Sequence, residues 1–159
     1  MPDALGLALK YLGRRLRTEA EVRARLRRAG CGAGEVEGAI EELQTLGQLD
    51  DARFARLFAQ DRRELDGWGQ ERIARRLGEL GIGRELVEEA LAGEPDDELQ
   101  RAVELLGHRF PTGTPDRSAD PGDRIRERAF GVLIRKGYES EIAADAVRRW
   151  DAARRDCIG

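Results

Sequence analysis

The single histidine of this chain, His108, stands beside Arg109 at the close of an amphipathic stretch. A His near a helix C-terminus is favoured there by the helix dipole alone, and no catalytic role is expected for it. Asp50 and Asp51 are adjacent carboxylates, but neighbours on a chain do not aim at one point. The string Leu49-Asp50-Asp51-Ala52-Arg53-Phe54-Ala55 reads instead as an N-cap followed by a first-turn acid. Cys31 and Cys157 lie far apart without metal-ligand spacing. Cys31 reads as a small apolar core residue and Cys157 as part of the tail, which suits a reducing cytoplasm. Gly67-Trp68-Gly69 follows no strand and so is no dinucleotide fingerprint. No HExxH, phosphate-binding Gly-Lys loop or GxSxG string occurs in the sequence. The sequence therefore predicts no catalytic site, no cofactor and no metal.

The chemistry that remains is cationic. Arg23, Arg27 and Arg28 sit in one candidate helix, Arg63 precedes a second, and Arg72, Arg75 and Arg76 lie within the second. Arg126, Arg128, Arg135 and Lys136 crowd a third. Such rows suit phosphates or an acidic protein surface. The plainer alternative is a solvated charged face, paired in part with nearby acidic helices. The net charge is only −3, so the distribution carries more than the total. Residues 10–30 hold eight bases against two acids, residues 35–51 six acids and no base. Residues 52–76 hold seven Arg against four acids, and residues 79–98 eight acids against one Arg.

This oscillation follows an internal repeat. Val22, Leu26, Gly30-Cys31, Ala39-Ile40 is spelled again as Ile73, Leu77, Gly81-Ile82, Ala90-Leu91, and again as Ala129, Leu133, Gly137-Tyr138, Ala146-Val147. Each copy reads as three helices, and nothing alternates with period two. The expectation is an all-α, elongated array of three tandem three-helix, helix-turn-helix-like repeats, at residues 1–49, 50–93 and 94–159. The expected helices are 4–16, 18–29 and 34–46, then 51–65, 70–80 and 84–92, then 96–109, 123–136 and 140–153. Thr18 with Glu21 spells a capping box, and Gly30 a left-handed stop. Three prolines and two glycines within residues 111–122 predict a loop inside the third repeat.

Composition agrees with small helical units. Charged residues make up 37 %, well above the roughly one quarter of ordinary globular chains. No apolar run is long enough to span a bilayer, and the start MPDALGLALKYLGRRLR lacks a positive region before its apolar stretch, so no membrane association or signal peptide is expected. In DNA-reading three-helix domains the last helix enters the major groove. Here that helix carries Glu35, Glu37, Glu41 and Glu42, or Glu85, Glu88 and Glu89, which argues against such reading in the first two repeats.

Gly47-Gln48-Leu49-Asp50-Asp51-Ala52-Arg53-Phe54-Ala55, then Arg63, Gly67-Trp68-Gly69-Gln70-Glu71-Arg72-Ile73, Leu77 and Gly81-Ile82, resembles the central signature of the RecX regulatory proteins. The Leu133-Ile134-Arg135-Lys136-Gly137-Tyr138 unit agrees with it, while the insertion at 111–122 is longer than the usual connection. The resemblance implies a cytoplasmic, monomeric modulator of the RecA recombinase. Such a protein binds the recombinase–DNA filament, with possible contact to single- or double-stranded DNA, and mainly inhibits ATP hydrolysis and strand exchange. Asp50 and Phe54 are expected to be structural despite lying in the signature. Two other readings stay open: a non-specific nucleic-acid-binding repeat protein that acts without a recombinase, and a helical scaffold for an unrelated protein.

Overall fold

The structure, a computed structural model, describes residues 3–93, 95–111 and 121–157. Among these the chain forms nine helices and no strand: α1 (Ala4–Leu12), α2 (Glu19–Arg28), α3 (Ala33–Thr45), α4 (Asp51–Asp66), α5 (Gln70–Glu79), α6 (Arg84–Leu91), α7 (Pro95–Arg109), α8 (Pro121–Lys136) and α9 (Ser140–Asp156). The fold is the expected all-α helical repeat.

The repeated spelling has a local cause. At the ends of α2, α5 and α8 the chain closes in a Schellman turn: the amides of Cys31, Ile82 and Tyr138 donate to the carbonyls of Leu26, Leu77 and Leu133 at 3.0–3.1 Å. Gly30, Gly81 and Gly137 supply the left-handed residue, with φ of 88°, 89° and 94°. The Leu and the bulky residue after the Gly are the two apolar members that such turns bring together, and all six are buried.

Most helix ends fall within one residue of the sequence expectation, α9 runs three residues further to Asp156, and two other differences have a local cause. α1 stops at Leu12 instead of residue 16, because Gly13 is a poor helix former and the chain must turn before Thr18 caps α2. α8 starts at Pro121, inside the expected loop, since proline at the first helical position loses no hydrogen bond. The rest of that loop, residues 112–120, lies outside the described residues.

By packing, the chain groups into two compact units, Met1–Gln60 with Arg75–Leu91, and Asp61–Ala74 with Ala92–Gly159. The core of the first joins Ala4 and Ala8 of α1, Val22 and Leu26 of α2, and Val36, Ile40 and Leu43 of α3. The core of the second joins Leu99, Ala102 and Leu106 of α7 to Ile125, Ala129 and Leu133 of α8 and Val147 and Trp150 of α9.

Each unit contains one joint built to the same plan. In the first, the start of α2 receives the end of α5. Thr18 makes the full capping box with Glu21, and its hydroxyl also donates to the Leu80 carbonyl at 2.7 Å. A Cβ on Gly81 would lie 2.3 Å from the Ala20 Cβ. Asp51, at the start of α4, accepts the Glu19 amide at 2.9 Å and so caps α2 from a different helix. In the second unit the start of α5 receives the end of α8. The Gly69 and Glu71 amides donate to the Lys136 and Gly137 carbonyls at 2.8 and 3.1 Å. Glu98, buried at the start of α7, accepts the Gln70 amide at 2.8 Å. The correspondence is complete in register: Thr18 and Gly69 each stand four residues before the first apolar residue of the repeat, Val22 or Ile73. In the third repeat that place is Ile125, inside α8, so no helix start exists there.

Candidate functional site

The structure sorts the expected cations by what already holds them. Arg23 is committed to the fold: its guanidinium donates to Glu37 at 2.7 Å and lies 3.7 Å from Glu19. The Glu37 bond raises the Arg23 pKa and lowers that of Glu37. Arg76 pairs with Glu79 at 3.0 Å, and Arg126 with the buried Asp151 at 3.4 Å, a carboxylate shared with Arg154 and Arg155. Arg128 lies over the Phe110 ring at 5.5 Å, and Arg28 donates to the Ala24 carbonyl. Arg27 and Arg75 are exposed on α2 and α5. Arg63 is half-buried; burial lowers its pKa, and Arg101 beside it lowers it further.

Arg72, Arg135 and Lys136 are brought together, in the second unit. With Arg109, Leu105 and Val132 they line a cleft of about 320 Å³ that holds four cations and no carboxylate among its described lining residues. Two of the four are fixed by the joint. The Arg72 guanidinium stacks on the Trp68 ring at 4.1 Å and donates to the Arg135 carbonyl at 3.3 Å. The Lys136 ammonium donates to the Asp66 carbonyl at 2.9 Å. Arg109 and Arg135 are exposed.

The first unit has a counterpart that the eleven expected cations did not include. Lys10, Arg14, Arg17 and Arg25, with Leu7 and Tyr11, line a cleft of about 300 Å³, again with no carboxylate among them. Arg17 stacks on Tyr11 at 4.1 Å, as Arg72 does on Trp68. The charge run at 10–30 is visible in sequence, but the premature end of α1, which folds Arg17 back on Tyr11, is not. Arg109 was missed for a different reason. It closes α7 and reaches the cleft only because α7 and α8 both pack on α9, which no local pattern reports.

A larger cavity of about 520 Å³ adjoins the second cleft at Leu105 and Lys136. Its charges are mixed: Arg63, Arg101 and Lys136 line it together with Glu64, Asp66 and Glu104. Tyr138, largely buried, is among its lining residues, and Glu98 is buried at the start of α7. Burial raises the Glu98 pKa against the pull of the Gln70 amide, Arg101 and Arg63. Burial, with the Glu98 charge, pushes the Tyr138 phenol up to about 12.

The signature residues divide between capping and core. Asp50 caps α4 by accepting the Arg53 amide at 3.0 Å. Phe54 is buried and stacks on Phe58 with ring centroids 5.9 Å apart. Asp51 does more than its place in a first turn suggests, because its carboxylate reaches α2.

Comparison with known proteins matches residues 4–43 to the first three-helix domain of RecX and residues 50–91 to the second. The chain is 36 % identical over 92 % of its length to the regulatory protein RecX of Halorhodospira halophila, covering 84 % of that protein. It is 32 % identical to that of Mycolicibacterium vanbaalenii, covering 80 % of it. It is 36 % identical to that of Deinococcus radiodurans, of which it spans 66 %. The fold matches the crystal structure of RecX from Lactobacillus salivarius with a TM-score of 0.79 at 24 % identity, over 94 % of this chain and 95 % of that one. No helix among the described residues is long and apolar enough to cross a membrane. With two of its domains and most of its length accounted for in this way, the chain belongs to the RecX family of regulatory proteins.

Proposed function

We propose that this chain is a non-catalytic, cytoplasmic modulator that binds the RecA–DNA filament as a monomer and restrains ATP hydrolysis and strand exchange. One observation carries the reading: each compact unit holds a cleft with four cations, no carboxylate among its described lining residues, and one arginine stacked on an aromatic ring. Cations gathered without counter-charges repel one another, which gives the fold no benefit and gives an anionic partner a prepared seat. Phosphates of filament DNA and acidic recombinase surface both meet that description. Two clefts on one chain gain avidity from linkage, so each contact can be weak and still hold a polymer.

The tandem three-repeat division at 1–49, 50–93 and 94–159 is proposed as the unit of this engagement, with the acidic α3 and α6 faces turned from the phosphates. DNA-dependent ATP hydrolysis by the cognate recombinase, titrated with this protein, tests the reading. Inhibition well below one molecule per recombinase monomer is expected; no change in hydrolysis or filament lifetime by a folded chain contradicts it.

A second reading has support in the same clefts, since cation-lined grooves with aromatic edges also suit naked nucleic acid. Binding to DNA without recombinase, weakening steeply with salt and independent of any filament, would favour that alternative.

A further inference from the structure

The cleft of the second unit is more than a charged surface. It is concave and of small-ligand size, about 320 Å³, and it shares Leu105 and Lys136 with the lining of the cavity of about 520 Å³. Small-molecule pockets typically measure about 300–1,000 Å³. Its floor is apolar, from Leu105 and Val132.

Its four cations differ in how they are held. Arg72 is fixed by Trp68 and the Arg135 carbonyl, and Lys136 by the Asp66 carbonyl. These two are in place before anything binds, so little ordering is left to do on their side. Arg109 and Arg135 are exposed, one at the end of α7 and one in the last turn of α8, and can close over a ligand from two helices. Guanidinium groups meet phosphoryl oxygens two at a time, and an ammonium adds a point charge. The matching ligand is compact and carries several negative charges close together. The neighbouring cavity, with charges of both signs, suits a polar neutral remainder better than further phosphate.

We propose that this cleft binds the polyphosphate chain of a small soluble ligand, either a nucleoside triphosphate or an inorganic polyphosphate. The inference rests on the cleft and not on the identity of the macromolecular partner. Calorimetric titration of the full chain with ATP, inorganic tripolyphosphate and AMP at low salt tests it. ATP or tripolyphosphate is expected to bind, with AMP at least about tenfold weaker. Tripolyphosphate binding as tightly as ATP assigns the site to the phosphate chain alone; ATP binding tighter assigns it to the nucleotide. The double variant Arg109→Gln/Arg135→Gln, with unchanged helicity and melting, should lose at least about tenfold in affinity, and Arg84→Gln on α6 should lose none. No heat from ATP or tripolyphosphate at millimolar concentration overturns the proposal, as does binding that survives the double variant. A DNA oligonucleotide that binds where both small ligands fail would make the cleft a polymer-binding surface only. A chain that inhibits the recombinase yet ignores both small ligands overturns this inference and leaves the filament reading standing.

Discussion

Thr18 and Gly69 occupy the same register in their repeats, and their two joints join a helix start to a helix end with different atoms. In the first joint a side-chain hydroxyl reaches the incoming carbonyl of Leu80, and the residue keeps its Cβ. In the second the backbone amide of Gly69 takes the Lys136 carbonyl directly at 2.8 Å, and the chains lie closer. A Cβ on Gly69 would be 2.5 Å from the Gly137 carbonyl group, and a Cβ on Gly137 would be 2.2 Å from that of Arg72. The carboxylate that caps from two helices further along is the same in role but not in type, Asp51 in one joint and Glu98 in the other. The difference has a functional edge. The tighter joint also sets Arg72, Arg135 and Lys136 around the cleft, so packing and binding share residues there, whereas the first joint and its unit's cleft have no residue in common.

The sharpest way to break the comparison is to add one methyl group at each joint. Gly137→Ala should cost about 3 kcal/mol or more, because it combines a left-handed φ with a clash against Arg72 backbone. Gly69→Ala meets backbone as well and should rank close to it. Gly81→Ala meets only the Ala20 methyl group, together with a left-handed φ, and should cost somewhat less. Gly30→Ala has the same φ but nothing within 4 Å of its Cβ, so about 1–2 kcal/mol is expected from backbone strain alone. Urea unfolding of the four variants gives the ranking; equal losses at Gly30 and Gly137 would remove the joint from the account.

Smaller effects separate the caps. Thr18→Ala removes the capping box and the bond to Leu80, for about 1–2 kcal/mol, whereas the first joint has no Gly-to-backbone contact to take over. Asp51→Ala and Glu98→Ala should each cost about 1 kcal/mol, with Asp51→Asn and Glu98→Gln milder, since an amide oxygen still accepts the Glu19 or Gln70 amide.

The pH dependence follows from the same two carboxyls. Burial raises both pKa values above their unfolded values. The native state therefore holds protons that the unfolded chain releases, and the stability contributed by these groups is complete below the unfolded carboxylate range near ~4 and falls as pH rises through the folded values. The double variant Asp51→Asn/Glu98→Gln should flatten that limb of a stability–pH curve; an unchanged slope would assign it to other groups.

Local chemistry made much of the fold legible in the sequence. The Thr18–Glu21 box, the Asp50 cap and the glycines that end α2, α5 and α8 are written within five residues of where they act. What stayed hidden depends on distant partners. Asp51 reads as a first-turn acid until α4 is seen to reach α2, and Gly69 reads only as no part of a dinucleotide fingerprint until α8 is seen beside it. The cationic site was legible in kind and only partly in place. Arg72, Arg135 and Lys136 converge, but Arg23, Arg76 and Arg126 are held by carboxylates from the same or another helix, and Arg109 enters from the end of α7.

Arg72 serves the joint as well as the cleft, so reversing it would confound folding with binding; Arg109 and Arg135 carry the cleaner test. The most direct measurement is DNA-dependent ATP hydrolysis by the cognate recombinase, titrated with the native chain and with Arg109→Glu/Arg135→Glu. The account predicts substoichiometric inhibition by the native chain and a loss of more than about tenfold in potency for the variant, with melting unchanged. Full inhibition by the charge-reversed chain, or none by the native one, would contradict it.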